Sequence, residues 1–324
     1  MAVLARTAVM LLGLMLLTLA PASAQSWPTK PVRIIVSFAA GATPDIMCRL
    51  ISEQLSVLLG QPVIVENRPG GANVVGAVAV AHSPPDGYTL YFATAAALVS
   101  NPYTFKTLPY DPVKDFVPVS MVAKNPFLIL AHPSVAANTL PELAAYDKAN
   151  PGKLTFATDG KRNLSGILAT WLNKVSGANI LQVPYATMPQ GVQDTLAGRT
   201  QLTILSPPSA APHIASGALK PLAVSWSTRL PQYPNVRAIS DSFPGVELTG
   251  WLAIVAPAGT PAEVIARVNR EMDKVLKTPQ MVSRLVELGF YSDGAETPEA
   301  TRAFVQAQYE LWGKVVREIG LQPE

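Results

Sequence analysis

The chain has little of what most chemistry requires. Its one cysteine, Cys48, cannot form an internal disulfide, and it lies in the apolar helical stretch Ile46-Met47-Cys48-Arg49-Leu50, which predicts a buried, inert thiol. Of the three histidines, His82, His132 and His213, none has another His, Cys or acidic residue at metal-ligand spacing, so no metal site is expected. Charged residues make up 15% and the net charge is only +3, scattered along the chain. With half the residues apolar, that balance excludes a disordered chain and a nucleic-acid binder. A nucleophile elbow of the Gly-x-Ser-x-Gly type is missing; Asn163-Leu-Ser-Gly-Ile167 comes nearest and lacks the first glycine. The Gly70-Gly71-Ala-Asn-Val-Val-Gly76 segment has the wrong glycine spacing for a dinucleotide loop, with no acid about 20 positions on to hold a ribose. Neither an enzyme nor a cofactor is therefore expected. The apolar run Ala8 to Ala20 is also short of the ~20 residues a helix needs to cross a bilayer.

That run has another use. Arg6 ahead of it and Ala22-Ser23-Ala24 behind it make residues 1–24 read as a cleavable signal peptide, with the working protein beginning near Gln25. No twin-Arg pair and no Cys at the cleavage point suggest a lipid anchor or another export route, so a soluble exported product is expected. What remains is long enough for two medium lobes, each with its own core.

Short β-branched runs bounded by breakers recur along the chain. They are Val32 to Phe38, Pro62 to Glu66, Tyr88 to Phe92, Phe127 to Leu130, Lys153 to Phe156, Ile180 to Val183, Leu202 to Leu205 and Pro221 to Ser225. Their alternation with helical patterns predicts an α/β protein with mostly parallel sheets. Thr139-Leu-Pro-Glu142 and Thr260-Pro-Ala-Glu263 read as capping boxes, and Thr297-Pro298 opens a last helix whose face carries Phe304, Gln308, Leu311, Trp312, Val315 and Ile319. That face is expected to pack on the fold. The thirty prolines mostly mark rigid loops, as in Ser83-Pro-Pro-Asp-Gly87.

Two strand-to-helix loops carry the best functional signal. In Phe38-Ala-Ala-Gly-Ala-Thr-Pro-Asp45, Thr43 reads as the N-cap and Pro44 as the first helical residue; in Phe156-Ala-Thr-Asp-Gly-Lys-Arg-Asn163, Asn163 reads as the cap. Each would present backbone N–H groups at the positive end of a helix, and two such ends facing one cleft suit a carboxylate. Every α/β unit has such an end, so either loop alone is equally a plain connection, and Asp45 equally a dipole complement.

At these loops the chain resembles the Bug-type extracytoplasmic solute receptors, the binding proteins of tripartite tricarboxylate transporters. The resemblance rests on Trp27 to Val36, Gly41 to Asp45, Gly60-Gln-Pro-Val-Ile-Val-Glu-Asn-Arg-Pro-Gly-Gly71, Pro85-Asp-Gly-Tyr-Thr-Leu90, Leu108-Pro-Tyr-Asp-Pro112, Ala149 to Leu154, Val183-Pro-Tyr185 and Ala256-Pro-Ala-Gly-Thr-Pro261, and it covers essentially the whole exported chain. It implies a two-lobed periplasmic binding protein of type II. Each lobe would be a mostly parallel sheet flanked by helices, with the ligand cleft between lobes. Lobe 1 would hold residues 25–123 and 253–324, and lobe 2 residues 124–252, with crossings near Val119 to Leu130 and Leu248 to Val255.

The resemblance further implies that Phe38, Ala39, Ala40, Gly41, Ala42, Thr43 and Asp45 face the ligand from lobe 1, and Thr158, Asp159, Gly160, Arg162 and Asn163 from lobe 2. Strand ends add Thr94 and Ala95, Tyr185 and Ser206, the last two equally readable as core or loop residues. The first loop departs from the usual proline and Gly-Gly pattern, and the second carries Asp159, Lys161 and Arg162 where small uncharged residues are common. Arg162 is thus a candidate cationic contact, or else a solvated surface charge. The implied function is capture of a small carboxylate, a di- or tricarboxylate or an aromatic acid, by a periplasmic monomer that closes on it and delivers it to transporter membrane subunits. The alternative is a ligand-dependent sensor docking on a signalling partner.

Overall fold

The computed structural model describes residues 27–160 and 164–323. The expected signal segment 1–24, and Lys161, Arg162 and Asn163 of the mid-chain loop, lie outside them. Two five-stranded sheets form the frame, each flanked by helices. In chain order the elements are β1 Val32–Val36, α1 Thr43–Leu59, β2 Val63–Asn67, α2 Val74–Ala81, β3 Thr89–Thr94, α3 Asn101–Thr104, β4 Phe116–Asn125, β5 Leu128–Ala131, α4 Leu140–Ala149, β6 Thr155–Thr158, α5 Leu164–Ser176, β7 Leu181–Pro184, α6 Met188–Leu196, β8 Leu202–Leu205, α7 Pro207–Ala215, β9 Lys220–Val224, β10 Gly250–Pro257, α8 Ala262–Leu276, α9 Pro279–Glu287 and α10 Pro298–Ile319.

The first sheet has the order β2-β1-β3-β10-β4 and the second β7-β6-β8-β5-β9. In each, three strands pair in parallel, as β1 does with β2 and β3, and one strand runs against its neighbours. The reversed strands are β10 and β5, the first strand of each sheet reached from the other. A strand entering from the opposite lobe arrives at the end where the resident strands finish, so it runs backwards. The chain passes from β4 to β5 through Pro126 and Phe127, and returns at Gly250 after the long segment that follows Val224.

Alternation along the strands divides the first lobe's core. Ile34, Val36, Leu90 and Phe92 face Met47, Ile51 and Leu55 of α1 and Val268 and Met272 of α8. Ile35, Tyr91, Ala93 and Val255 face the other side, in a cluster that includes Trp312 and Val315 of α10 and continues into Phe156, Ile167 and Trp171 of the second lobe. The last helix therefore packs as its spacing predicts, and it also touches the other lobe, where Trp171 Nε1 donates to Glu318 Oε2 at 3.3 Å. Cys48 is fully buried and free, and burial pushes its thiol up to about 12.

Two caps differ from expectation. Thr260 does not cap α8; its hydroxyl turns back to donate to Pro257 O at 2.7 Å, closing the preceding turn, and Pro261 takes the cap position. Thr139 accepts from Glu142 N at 3.3 Å as predicted, but the Glu142 carboxylate accepts from Asn138 N at 2.9 Å, one residue before the cap. Thr297 caps α10 by accepting from Ala300 N at 3.1 Å.

Candidate functional site

A cavity of about 480 Å³ lies beside the crossing strands. The first lobe supplies Phe38 after β1, Pro44 in α1, Ala72 and Asn73 before α2, and Thr94, Ala95 and Ala96 at the end of β3. Ser100, Asn101, Thr104 and Phe105 follow, on the segment after β3. The crossings contribute Asn125 at the end of β4 and Thr249 to Leu252 at the start of β10, and Phe290 and Trp312 complete that side. From the second lobe comes Leu164, the first residue of α5.

Backbone irregularity shapes the wall. Beyond Thr94 the chain makes a π-helical turn, Ala96–Ser100, a form that recurs at functional sites. Thr94 Oγ1 accepts from Ala97 N at 3.2 Å and starts that turn. Ala72 and Asn73 have φ of 50° and 76°, in the left-handed region where a non-glycine residue costs about 1–3 kcal/mol. They are held there from two sides: Asn101 Nδ2, in the wall, donates to Ala72 O at 2.8 Å, and Ser37 Oγ, at the end of β1, donates to Asn73 O at 3.3 Å. Asn101 Nδ2 also reaches Tyr110 OH at 3.3 Å, and Tyr110 OH donates to Ala97 O at 2.6 Å. Burial pushes the Tyr110 hydroxyl up to about 12, so it stays a neutral donor at any ordinary pH.

The wall is aromatic and uncharged. Phe38, Phe105, Trp251, Phe290 and Trp312 line it, and none of its described residues carries a charge. Trp251 and Trp312 are 2% and 4% exposed, and neither indole N–H has a hydrogen-bond partner. A buried donor left without an acceptor costs about 1–3 kcal/mol, so two in one wall ask for an explanation.

Of the residues expected from sequence, Phe38, Thr94 and Ala95 line this cavity. Ala39, Ala40, Gly41, Ala42 and Thr43 lie on the adjoining loop, outside the wall. Their N–H groups are less available than the loop pattern suggested: Gly41 N donates to Asp45 Oδ2 at 2.8 Å and Ala42 N to Ala39 O at 3.1 Å. The cap is Ala42, with extended backbone and no side-chain bond, and Thr43 is already helical. Asp45 is 1% exposed and fully engaged. It accepts from Asn67 Nδ2 at 2.7 Å and pairs with Arg49 at 3.0 Å as well as with Gly41. Burial alone would raise its carboxyl, but the bonds from Arg49, Asn67 and Gly41 hold it below the ordinary carboxylate value. The residue thus ties the loop to α1 and β2.

On the mid-chain loop, Thr158 is wholly buried with a hydroxyl that finds no partner. Asp159 N donates to Ser165 Oγ at 2.9 Å, and the Ser165 hydroxyl donates back to the Asp159 carboxylate, so this pair closes the turn into α5. Gly160 has φ of 119°, a conformation that favours glycine. Arg162 and Asn163 are outside the described residues, but Leu164, next in sequence, is in the wall. Tyr185 and Ser206 are not: Tyr185 OH donates to Asp194 Oδ2 at 2.8 Å, and Ser206 Oγ meets Ser209 Oγ at 2.9 Å.

Sequence reasoning passed over Asn73, Asn101, Asn125, Trp251 and Trp312. One signal was present, the Gly70-Gly71 pair ahead of Ala72 and Asn73, which begins the left-handed turn. Asn101 comes from α3 and Asn125 from the end of β4, while β10 and α10 bring Trp251 and Trp312 from the far end of the chain. No group of three or more His, Cys, Asp or Glu that would hold a metal occurs among the described residues. None of the described helices is long and apolar enough to cross a membrane.

Comparison with known proteins points one way. Residues 47–321 match the family described as "Tripartite tricarboxylate transporter family receptor". Protein BugT of Bordetella pertussis is 34% identical over 307 residues, covering 93% of this chain and 93% of that protein. A solved structure of an R. palustris protein with adipate is 30% identical with a TM-score of 0.74, covering 92% of this chain and all of that one. MatC from Rhodopseudomonas palustris with bound malate is 29% identical with a TM-score of 0.69, covering 90% of this chain and 100% of the other.

Proposed function

The chain belongs to the receptor family of the tripartite tricarboxylate transporters, and on that premise we propose that it captures a small carboxylate in its interlobe cleft and hands it to the transporter's membrane subunits. The observation that carries this reading is the placement of the cavity. It touches both crossings, Asn125 and Thr249 to Leu252, and reaches the second lobe at Leu164. A ligand there would contact both lobes at once and so favour their closed arrangement, which is how binding becomes a signal to a docking partner. The lobes are residues 25–123 with 253–324, and residues 124–252, and the protein acts as a periplasmic monomer released from its signal peptide. The adipate and malate held by two similar structures support a carboxylate as the ligand class.

Phe38, Thr94 and Ala95 contact the ligand in this reading, and the loop Ala39 to Asp45 and the mid-chain residues Thr158, Asp159, Gly160 and Asn163 are the further candidates for ligand contact. Arg162 supplies a cationic contact. A thermal-shift screen against carboxylates, amino acids and neutral sugars tests the class, because a saturating ligand raises the unfolding temperature by mass action. Stabilisation by carboxylates is the expected result, and stabilisation by a sugar alone refutes it. An Arg162→Ala protein with unchanged carboxylate affinity removes Arg162 from the site.

A further inference from the structure

We infer that Tyr291, with Gln232 and Trp226, forms a latch between the lobes on the far side of the crossing strands from the ligand loops, and that this latch opposes closure and so lowers the affinity for ligand. The inference rests on the reading that the lobes close on what they bind, and it names what sets the balance of that motion.

The turn after α9 is fixed to the first lobe by its backbone. Lys124 N donates to Tyr291 O at 2.8 Å and Tyr291 N to Lys124 O at 2.9 Å, which adds one rung to the outer side of β4, and Asn125 Nδ2 donates to Gly289 O at 2.8 Å. From that anchor the side chain of Tyr291 reaches the second lobe. Its hydroxyl donates to Gln232 Oε1 at 3.0 Å, its ring lies 6.1 Å from that of Trp226, and it packs on the second lobe's cluster of Leu128, Val224 and Leu230. Lys124 Nζ stands 5.8 Å from the Trp226 ring centroid and 5.1 Å from that of Phe304 on α10, so one cation sits between a ring of each lobe. Gly289 lies so close that a Cβ there would be 3.0 Å from Pro208 Cδ.

The sheet orders decide which way this latch pulls. β4 is the edge of its sheet and Tyr291 pairs along its open side; β9 is the edge of the other sheet, and Trp226 and Gln232 follow it. The strands that lead into the ligand loops lie on the other side of the crossings, β1 and β3 beyond β10 in one sheet and β6 beyond β5 and β8 in the other. The crossings thus stand between latch and ligand loops as a fulcrum stands between two arms. A rotation that brings Phe38 towards Leu164 parts Tyr291 from Gln232. On the ligand-loop side α10 meets α5, where Trp171 donates to Glu318, so two sets of contacts pull against each other across one hinge.

Gln232 is exposed, and a bond there exchanges readily for water, which makes the latch weak enough for a ligand to open. A ligand that binds the closed form alone has its apparent affinity reduced by the fraction of molecules that are closed. Weakening the latch raises that fraction without touching the cavity, since Tyr291, Gln232 and Trp226 are not in its wall.

The test measures the lobe angle and the affinity separately. Val57 on α1 and Leu181 on β7, 80% and 64% exposed, lie in different lobes away from the latch, and Val57→Cys with Leu181→Cys can be spin-labelled while the buried Cys48 stays unmodified. In the unliganded protein, Tyr291→Ala should shorten the mean label separation. By calorimetry it should tighten malate or adipate, whichever binds, by about three- to tenfold. Tyr291→Phe keeps the ring against Trp226 and drops only the bond to Gln232, so it should give a smaller shift of the same sign. Gln232→Ala, at an exposed position, should match Tyr291→Phe and keeps the test open if Tyr291→Ala fails to fold. An unchanged separation in the folded variants overturns the inference. A longer separation with weaker binding also overturns it, because the contact would then clasp the closed form. The label distances decide the latch whether or not malate or adipate binds, so a failure of carboxylate capture is distinguished from a failure of the latch.

Discussion

Asp45 offers a quantitative test of how the first loop is held. Replacing it with alanine strands three donors at once: Gly41 N, Asn67 Nδ2 and the Arg49 guanidinium, now at 2.8, 2.7 and 3.0 Å. Hydrogen bonds to a charged group contribute about 1.5–3 kcal/mol each, but Arg49 is half exposed and will find water, so its share is discounted. The expected loss at pH 7 is therefore about 3 kcal/mol, at the lower end of what breaking a buried pair costs. For a chain this long, with ~2 °C per kcal/mol, that is a fall of about 6 °C in Tm. The pH dependence has a definite sign. Because the folded carboxyl titrates below its ordinary 3.8, its contribution is complete above that value and fades as pH falls through the lower, folded value. Urea titrations of both proteins at pH 7 and near pH 3 should show a gap in unfolding free energy that is wide at pH 7 and narrower at the lower pH. A gap under about 1 kcal/mol, or one indifferent to pH, refutes the reasoning.

Other positions give shorter tests. Gly76→Ala would place a Cβ against Ser37 Oγ, so either that hydroxyl leaves Tyr91 OH and Asn73 O or α2 shifts off the end of β1; a loss of about 1–3 kcal/mol is expected in urea unfolding. The Cys48 thiol, pushed up to about 12 by burial, should resist a thiol-specific reagent at pH 8 in the native protein and react fully after denaturation. Thr297→Ala removes the cap that accepts from Ala300 N and should cost about 1 kcal/mol by thermal melting, whereas Thr260→Ala should lose only a turn bond and leave α8 helicity intact by circular dichroism.

Much of the frame was legible before the structure because its signals are local. Eight of the ten strands were marked by β-branched runs between breakers, and the spacing in α10 placed Trp312 and Val315 on a buried face. The two crossing strands were harder. Crossings were expected near Val119 to Leu130 and Leu248 to Val255, but the strands Phe116–Asn125 and Gly250–Pro257 were not marked, because they pair with each other across more than 100 residues. The caps at Thr43 and Thr260 failed for a related reason: a Thr hydroxyl near a helix start has several acceptors and donors within reach, and backbone geometry one residue away decides among them.

The sequence by itself determined the α/β frame of short strands and helices, the buried thiol and the scarcity of catalytic groups, since each follows from composition, period or residues adjacent in the chain. Only the tertiary structure decided what lines the cavity. It spent Asp45 on its own loop, because three donors from α1, β2 and the loop meet there, and it brought Asn101, Asn125, Trp251 and Trp312 together from four distant elements. Hydrogen-bond satisfaction in a closed space is a property of all the neighbours together. A linear pattern names the donors, and packing decides which of them, the indoles of Trp251 and Trp312 among others, are left without an acceptor.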